Sequence, residues 1–110
     1  MRMPNPQHAV VDIQKLTRYC LNPDHPRGRH KAYVFAAVLG LTADQAETLI
    51  EGLLAAADSD NAIATERDEY GQFRTVDFVF DGPAGRASIR SSWIVRVGEG
   101  FPRLTSCYVV

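Results

Sequence analysis

Cysteine is scarce in this chain of 110 residues: Cys20 and Cys107 stand alone, with no CxxC pair and no companions at metal-ligand spacing. That excludes a disulfide framework and a thiolate zinc site. Two free, partly buried thiols in a packing role are expected, rather than a disulfide or a nucleophile. The three histidines form no HxxxH or HExxH arrangement, so no metal or other cofactor is expected. No GxxxxGK[ST] or GxGxxG follows a strand, which removes a glycine-rich phosphate cradle. Long hydrophobic runs are missing too. Ala32 to Leu41 and Ile50 to Ala57 are too short and too interrupted to cross a bilayer, and the proline-rich start from Met1 to Pro6 has no apolar leader core. The expectation is a cytoplasmic, free-standing protein without a membrane span. No internal repeat or low-complexity tract occurs.

What is present is ordinary globular composition, 45% hydrophobic and 23% charged, at the length of one domain. Residues 1–8 read as a flexible N-terminus and 9–110 as a single α+β domain. The net charge of −1 hides an uneven distribution. Residues 1–31 carry six basic and two acidic side chains, residues 32–85 two basic and ten acidic, and residues 86–110 four basic and one acidic. An acidic middle therefore separates two basic ends. If folding joins those ends they make a face suited to a polyanion; otherwise they are solvated surface.

Asp12 precedes Ile13, Leu16, Tyr19 and Cys20 at one-face helical spacing, which predicts a capped helix ending near Leu21. Asn22 to Gly28 holds two prolines and a glycine and predicts a polar loop carrying His25 and Arg27. A second helix is predicted from Arg29 or His30 through Leu39, with Gly40 as its left-handed stop. Thr42 and Gln45 match a capping box for a third helix ending by Ala57. Beyond Asn61 the period changes to two. Strands are predicted over 62–67, 73–80, 86–97 and 103–109, joined by Asp68 to Gly71, Asp81 to Gly85 and Gly98 to Pro102. Helices first and hairpins after predict two to three helices packed on one face of a roughly four-stranded antiparallel sheet. Along the long strand, Arg86, Ser88, Arg90, Ser92 and Arg96 fall on the opposite, wet face. In the last strand simple alternation puts Leu104, Ser106 and Tyr108 on one side and Thr105, Cys107 and Val109 on the other.

Arg27, Arg29, His30 and Lys31 crowd the start of the second helix, where cations are locally unfavourable and an anion is favoured. Either a phosphate offsets the repulsion or these side chains splay into solvent. His25 and His30 are the natural general acid or base candidates, or inert loop residues. Lys31 either stabilises an oxyanion or lies along the helix. Thr105 and Tyr108 either donate into a cleft or meet neighbouring backbone. Trp93 is expected in the core with Phe78 and Phe80, with base stacking as the alternative.

The motifs occur in a recognisable order: Lys-Leu-x-x-Tyr (Lys15, Leu16, Tyr19), His-Pro-x-Gly-Arg-x-Lys-Ala-x-x-Phe (His25 to Phe35), Leu39-Gly40, Tyr70-Gly71, Trp93, and Arg-Leu-x-Ser/Thr-x-Tyr (Arg103 to Tyr108). Over about residues 8–110 this resembles a functionally unassigned bacterial domain family. That family is similar to the barnase/EndoU/colicin/RelE-like (BECR) ribonucleases, which act as contact-dependent or toxin–antitoxin effectors. The resemblance implies helices ahead of a four-stranded antiparallel sheet. It also implies catalytic roles for Lys31, Arg90, Thr105 and Tyr108, with Ser106 beside them. His30 occupies a variable position of its motif, whereas His25 lies within the matched run. Arg27, Arg29, Arg86, Ser92 and Ser106 are the expected substrate-binding residues. The expected function is metal-independent RNA cleavage, with tRNA a candidate substrate, by attack of a 2′-hydroxyl on phosphate. RNA and a cognate antitoxin or immunity protein are the expected partners. The alternative is a non-catalytic module that binds a small protein partner through Asp44, Glu47 and Glu51 or through a sheet edge.

Overall fold

Asp12 Oδ1 accepts a hydrogen bond from the Gln14 N–H at 2.9 Å and so opens the first helix as predicted. The computed structural model describes residues 2–110. It gives this helix (α1) as an α-helical turn, Ile13–Lys15, widening into a π turn over Leu16–Cys20. The second helix (α2, Arg29–Val34) widens likewise over Phe35–Leu39 and stops at Gly40, whose φ of 71° suits a residue without Cβ. The third (α3, Ala46–Ala57) follows a 3₁₀ turn at Ala43–Gln45. Its capping box is formed, with Gln45 Oε1 accepting from the Thr42 N–H at 2.9 Å.

Four strands follow: β1 (Ile63–Arg67), β2 (Gly71–Gly82), β3 (Gly85–Arg96) and β4 (Pro102–Val109). They pair in chain order, all antiparallel, so this is the predicted α+β meander. Gly82 pairs with Gly85 across the Pro83-Ala84 turn, and a Cβ on Gly82 would strike the Leu39 carbonyl. The hairpin thereby seats against the end of α2, where the Ala84 N–H donates to Leu39 O.

Phe35 and Leu39 from α2, Leu49 and Leu53 from α3, and Val76, Ile89, Trp93 and Leu104 from the sheet form the core. Trp93 is fully buried. At about 25 cal/mol per Å² over the roughly 200 Å² of such a side chain, its burial stabilises by about 5 kcal/mol. Its indole N–H donates to Ser91 Oγ at 2.9 Å, and the Ser91 hydroxyl donates to Val76 O at 2.8 Å. Trp93 is therefore a core residue, and base stacking by it is ruled out. Phe78 and Phe80 pack edge to face beside the core, over Gly52 of α3.

Two expectations need correcting. The lead-in at residues 2–8 sends Met3 into the core, 2% exposed, so it is part of the packed unit. In β4 the simple alternation breaks. Ser92 pairs with Ser106 but Trp93 pairs with Leu104, leaving Thr105 as the extra residue of a bulge. The bulge shifts the parity, so Leu104 and Cys107 both reach the core while Tyr108 pairs with Arg90 on the open face. Val10 bridges alongside Arg103 and covers the first part of the β4 edge, through hydrogen bonds to Pro102 O and from the Leu104 N–H.

Candidate functional site

Beyond that covered stretch, the side chain of Lys31 reaches β4. Its Nζ donates to Tyr19 Oη and to Ser106 Oγ, each at 3.3 Å. It also lies 5.1 Å from the ring centre of Tyr19 and 5.3 Å from that of Tyr108, within the range of a cation–π interaction. No carboxylate pairs with Lys31 among the described residues. A half-buried ammonium held by hydroxyls and aromatic faces keeps its charge available to an incoming anion.

Tyr108 links Lys31 to the open face of the sheet. It stands opposite Arg90 in the β3–β4 register and, after Asp77, helps to raise the pKa of that guanidinium. Asp77, opposite Arg90 on the β2 side, accepts two parallel bonds from it, both 2.9 Å. Those bonds hold the Asp77 carboxyl below its ordinary pKa and raise that of Arg90. A recess of about 540 Å³ opens here, lined by Thr75, Asp77, Arg90, Ser92 and Tyr108. Lys31, Arg90, Tyr108 and Ser106 thus come together, with Ser92 adjoining.

His25 stands beside this group in a constrained state. Its Nδ1 accepts from the N–H groups of Arg27 (3.0 Å) and Gly28 (2.9 Å), which folds the loop. The ring meets Tyr19 edge-on at 4.8 Å. The loop's own backbone therefore occupies Nδ1. Gly28 supports the same corner, because a Cβ there would strike the Tyr19 carbonyl.

The other expected residues lie elsewhere. His30 and Arg29 line a separate recess on the far flank of α2. Arg27 is exposed in the loop. Arg86 is bound to Asp81 at the hairpin end. The Thr105 hydroxyl donates to Ser92 O at 3.1 Å, where it serves the bulge. The two basic ends of the chain do meet, through Lys31 and Tyr108, but much of their charge is matched. Arg2, Arg86, Arg90 and Arg103 pair with Asp58, Asp81, Asp77 and Glu99.

The two cysteines near this site are both free and buried, and they influence one another electrostatically. The hydrogen bond from the Cys107 thiol, helped by the Cys107 backbone, Ser106 and the charge of Lys31, overcomes burial and lowers Cys20 to about 6. Cys107 is raised well above its ordinary value by the same contact. Tyr19, Asp77 and this thiol pair escaped the reading of the sequence as site residues. Tyr19 alone carried a signal, its place in the Lys-Leu-x-x-Tyr motif. Among the described residues no three His, Cys, Asp or Glu side chains gather as a metal site, and no helix is long and apolar enough to cross a membrane.

The class these features define is an α+β domain with helices laid over an antiparallel meander and a cationic, tyrosine-lined site at its last strand. The chain belongs to the family described as domain of unknown function DUF6883, whose sequence model matches residues 2–110. No curated protein matches it. A chain of the contact-dependent growth inhibition toxin–immunity protein complex from Klebsiella pneumoniae 342 shares the fold. The TM-score is 0.73 at 23% identity, over 94% of this chain and 95% of that one.

Proposed function

We propose that this domain is a ribonuclease of a toxin system, cleaving RNA without a metal by attack of a 2′-hydroxyl on the adjacent phosphate. The observation that carries the reading is the convergence of Lys31, Arg90 and Tyr108, drawn from three separate elements. In the reaction the O2′–P bond forms and the P–O5′ bond breaks, leaving a 2′,3′-cyclic phosphate and a 5′-hydroxyl. Lys31 and Arg90 stabilise the negative charge that builds on the phosphorane oxygens. Tyr108, set between Lys31 and Arg90, takes the 2′-hydroxyl proton. Tyr19, hydrogen-bonded to Lys31, hands a proton to the departing 5′-oxygen. Ser106 holds the Lys31 ammonium in line. His25 shapes the loop rather than moving the proton.

A second reading, a non-catalytic module bound by a small protein, draws on the fold shared with a chain of a toxin–immunity protein complex. The exposed acidic side chains of Asp44, Glu47 and Glu51 are its candidate contacts. Incubating the purified domain with total tRNA and rRNA in EDTA, beside Lys31→Ala and Arg90→Ala, separates the two. Cleavage by the wild type that both variants lack supports the ribonuclease, and intact RNA at high enzyme excess supports the binding module.

A further inference from the structure

The recess on the far flank of α2 holds about 560 Å³ and is separate from the Lys31 site. Its walls are largely apolar, from Leu21, Ala32, Ala36 and Leu41, and the Tyr33 ring beside them is 71% exposed. Arg29, His30, Thr42 and Asp44 add polar groups to its lining. We propose that this recess binds one unpaired, amino-bearing nucleobase of the RNA strand whose scissile phosphate lies at Lys31.

Three observations carry this. The recess adjoins the site through consecutive residues, since Arg29 and His30 face one flank of α2 and Lys31 the other. A helix with its side chains is about 10 Å across, so a nucleotide or two spans the distance. Tyr33 offers an aromatic face against apolar walls, the arrangement on which bases stack without regard to sequence. The polar groups match the two ends of a nucleotide: Arg29, with His30 beside it, meets phosphate, whereas the Asp44 carboxylate is an acceptor only. It accepts from the exocyclic amine of cytosine, adenine or guanine and repels the O4 of uracil. A protein segment in the same groove would not call for the exposed Tyr33 ring beside Arg29 together with the one carboxylate of the lining.

The proposal rests on the ribonuclease reading, but its first test does not require cleavage. Titrating the ¹⁵N-labelled full chain with CMP and with UMP, the amide signals of Ala32, Tyr33, Ala36 and Ala43 are followed. CMP is expected to shift them and to bind several-fold more tightly than UMP. Asp44→Ala should abolish the preference, and Tyr33→Ala should weaken both about 10- to 100-fold while Tyr33→Phe restores them. Silent amides with both nucleotides, or shifts confined to Lys31 and Tyr108, overturn the subsite and leave the groove to a protein partner. Binding of CMP by a domain that leaves RNA intact keeps the subsite and removes only the catalytic reading. Cleavage with KM unchanged in Tyr33→Ala removes the subsite and keeps the ribonuclease.

Discussion

Lys31 Nζ lies 5.3 Å from the centre of the Tyr108 ring, joining the start of the second helix to the last strand. Across the β3–β4 register the same tyrosine pairs with Arg90. The relationship separates two contributions of Tyr108, one from the ring and one from the oxygen. Tyr108→Phe keeps the aromatic face and removes the hydroxyl, so kcat is expected to fall about 10²- to 10³-fold with stability changed by less than about 1 kcal/mol. Tyr108→Ala should lose more activity and release Lys31. Single-turnover cleavage and urea unfolding on the same preparations check both.

Asp77 clamps Arg90 with two bonds, yet both side chains are nearly half exposed, 47% and 41%. Asp77→Asn should therefore change stability by less than about 1 kcal/mol. The sign of its pH dependence follows from the lowered carboxyl pKa. The contribution is fully present above the ordinary value of about 4 and is lost as pH falls through the lower folded value. Wild type minus Asp77→Asn, from denaturant unfolding, should be flat above about pH 5 and shrink towards zero in stronger acid.

Ser91 is buried between two partners, the Trp93 indole and the Val76 carbonyl. Ser91→Ala strands both polar groups away from water. A loss of about 1–3 kcal/mol is expected, without change in kcat for the fraction that remains folded. Ser91→Thr keeps the hydroxyl but adds a methyl to a closed core, so it should not restore full stability.

The Cys107 thiol lowers the pKa of Cys20, and Cys20 raises that of Cys107. Absorbance at 240 nm should show one thiolate per chain titrating near pH 6, gone in Cys20→Ser, while the second thiol stays protonated well into the alkaline range. Cys20 is lowered relative to the unfolded chain, so its contribution is complete above about pH 8.5 and disappears as pH falls through about 6. Cys107 is raised, so its contribution holds at neutral pH and is lost only on further alkalinisation. Urea unfolding of wild type against Cys20→Ser between pH 5 and 9 reads this directly.

What was legible in the sequence follows the range of each interaction. The Asp12 cap, the Thr42–Gln45 box, the Gly40 stop and the Gly82–Gly85 hairpin are set by neighbours a few residues apart, and the structure has all of them. Alternation located β2 and β3 because their register runs unbroken from Gly71↔Arg96 to Gly82↔Gly85. It misassigned the faces of β4, since a single extra residue at Thr105 flips every later side chain. Lys31 and His30 looked like one cluster because they are consecutive. A helix turns its side chains by about 100° per residue, which sends His30 to the recess and Lys31 to β4. The partners of Arg86, Arg90 and Cys20 come from other strands, and no spacing along the chain encodes them.

The most direct test of the account is cleavage of tRNA in EDTA under single-turnover conditions by wild type, Lys31→Ala and Lys31→Arg. The account predicts 2′,3′-cyclic phosphate and 5′-hydroxyl ends from the wild type. It predicts a fall of about 10²- to 10³-fold or more in Lys31→Ala, with part of the loss recovered by the retained charge in Lys31→Arg. Equal cleavage by wild type and Lys31→Ala would contradict it, as would RNA left intact by the folded wild-type domain.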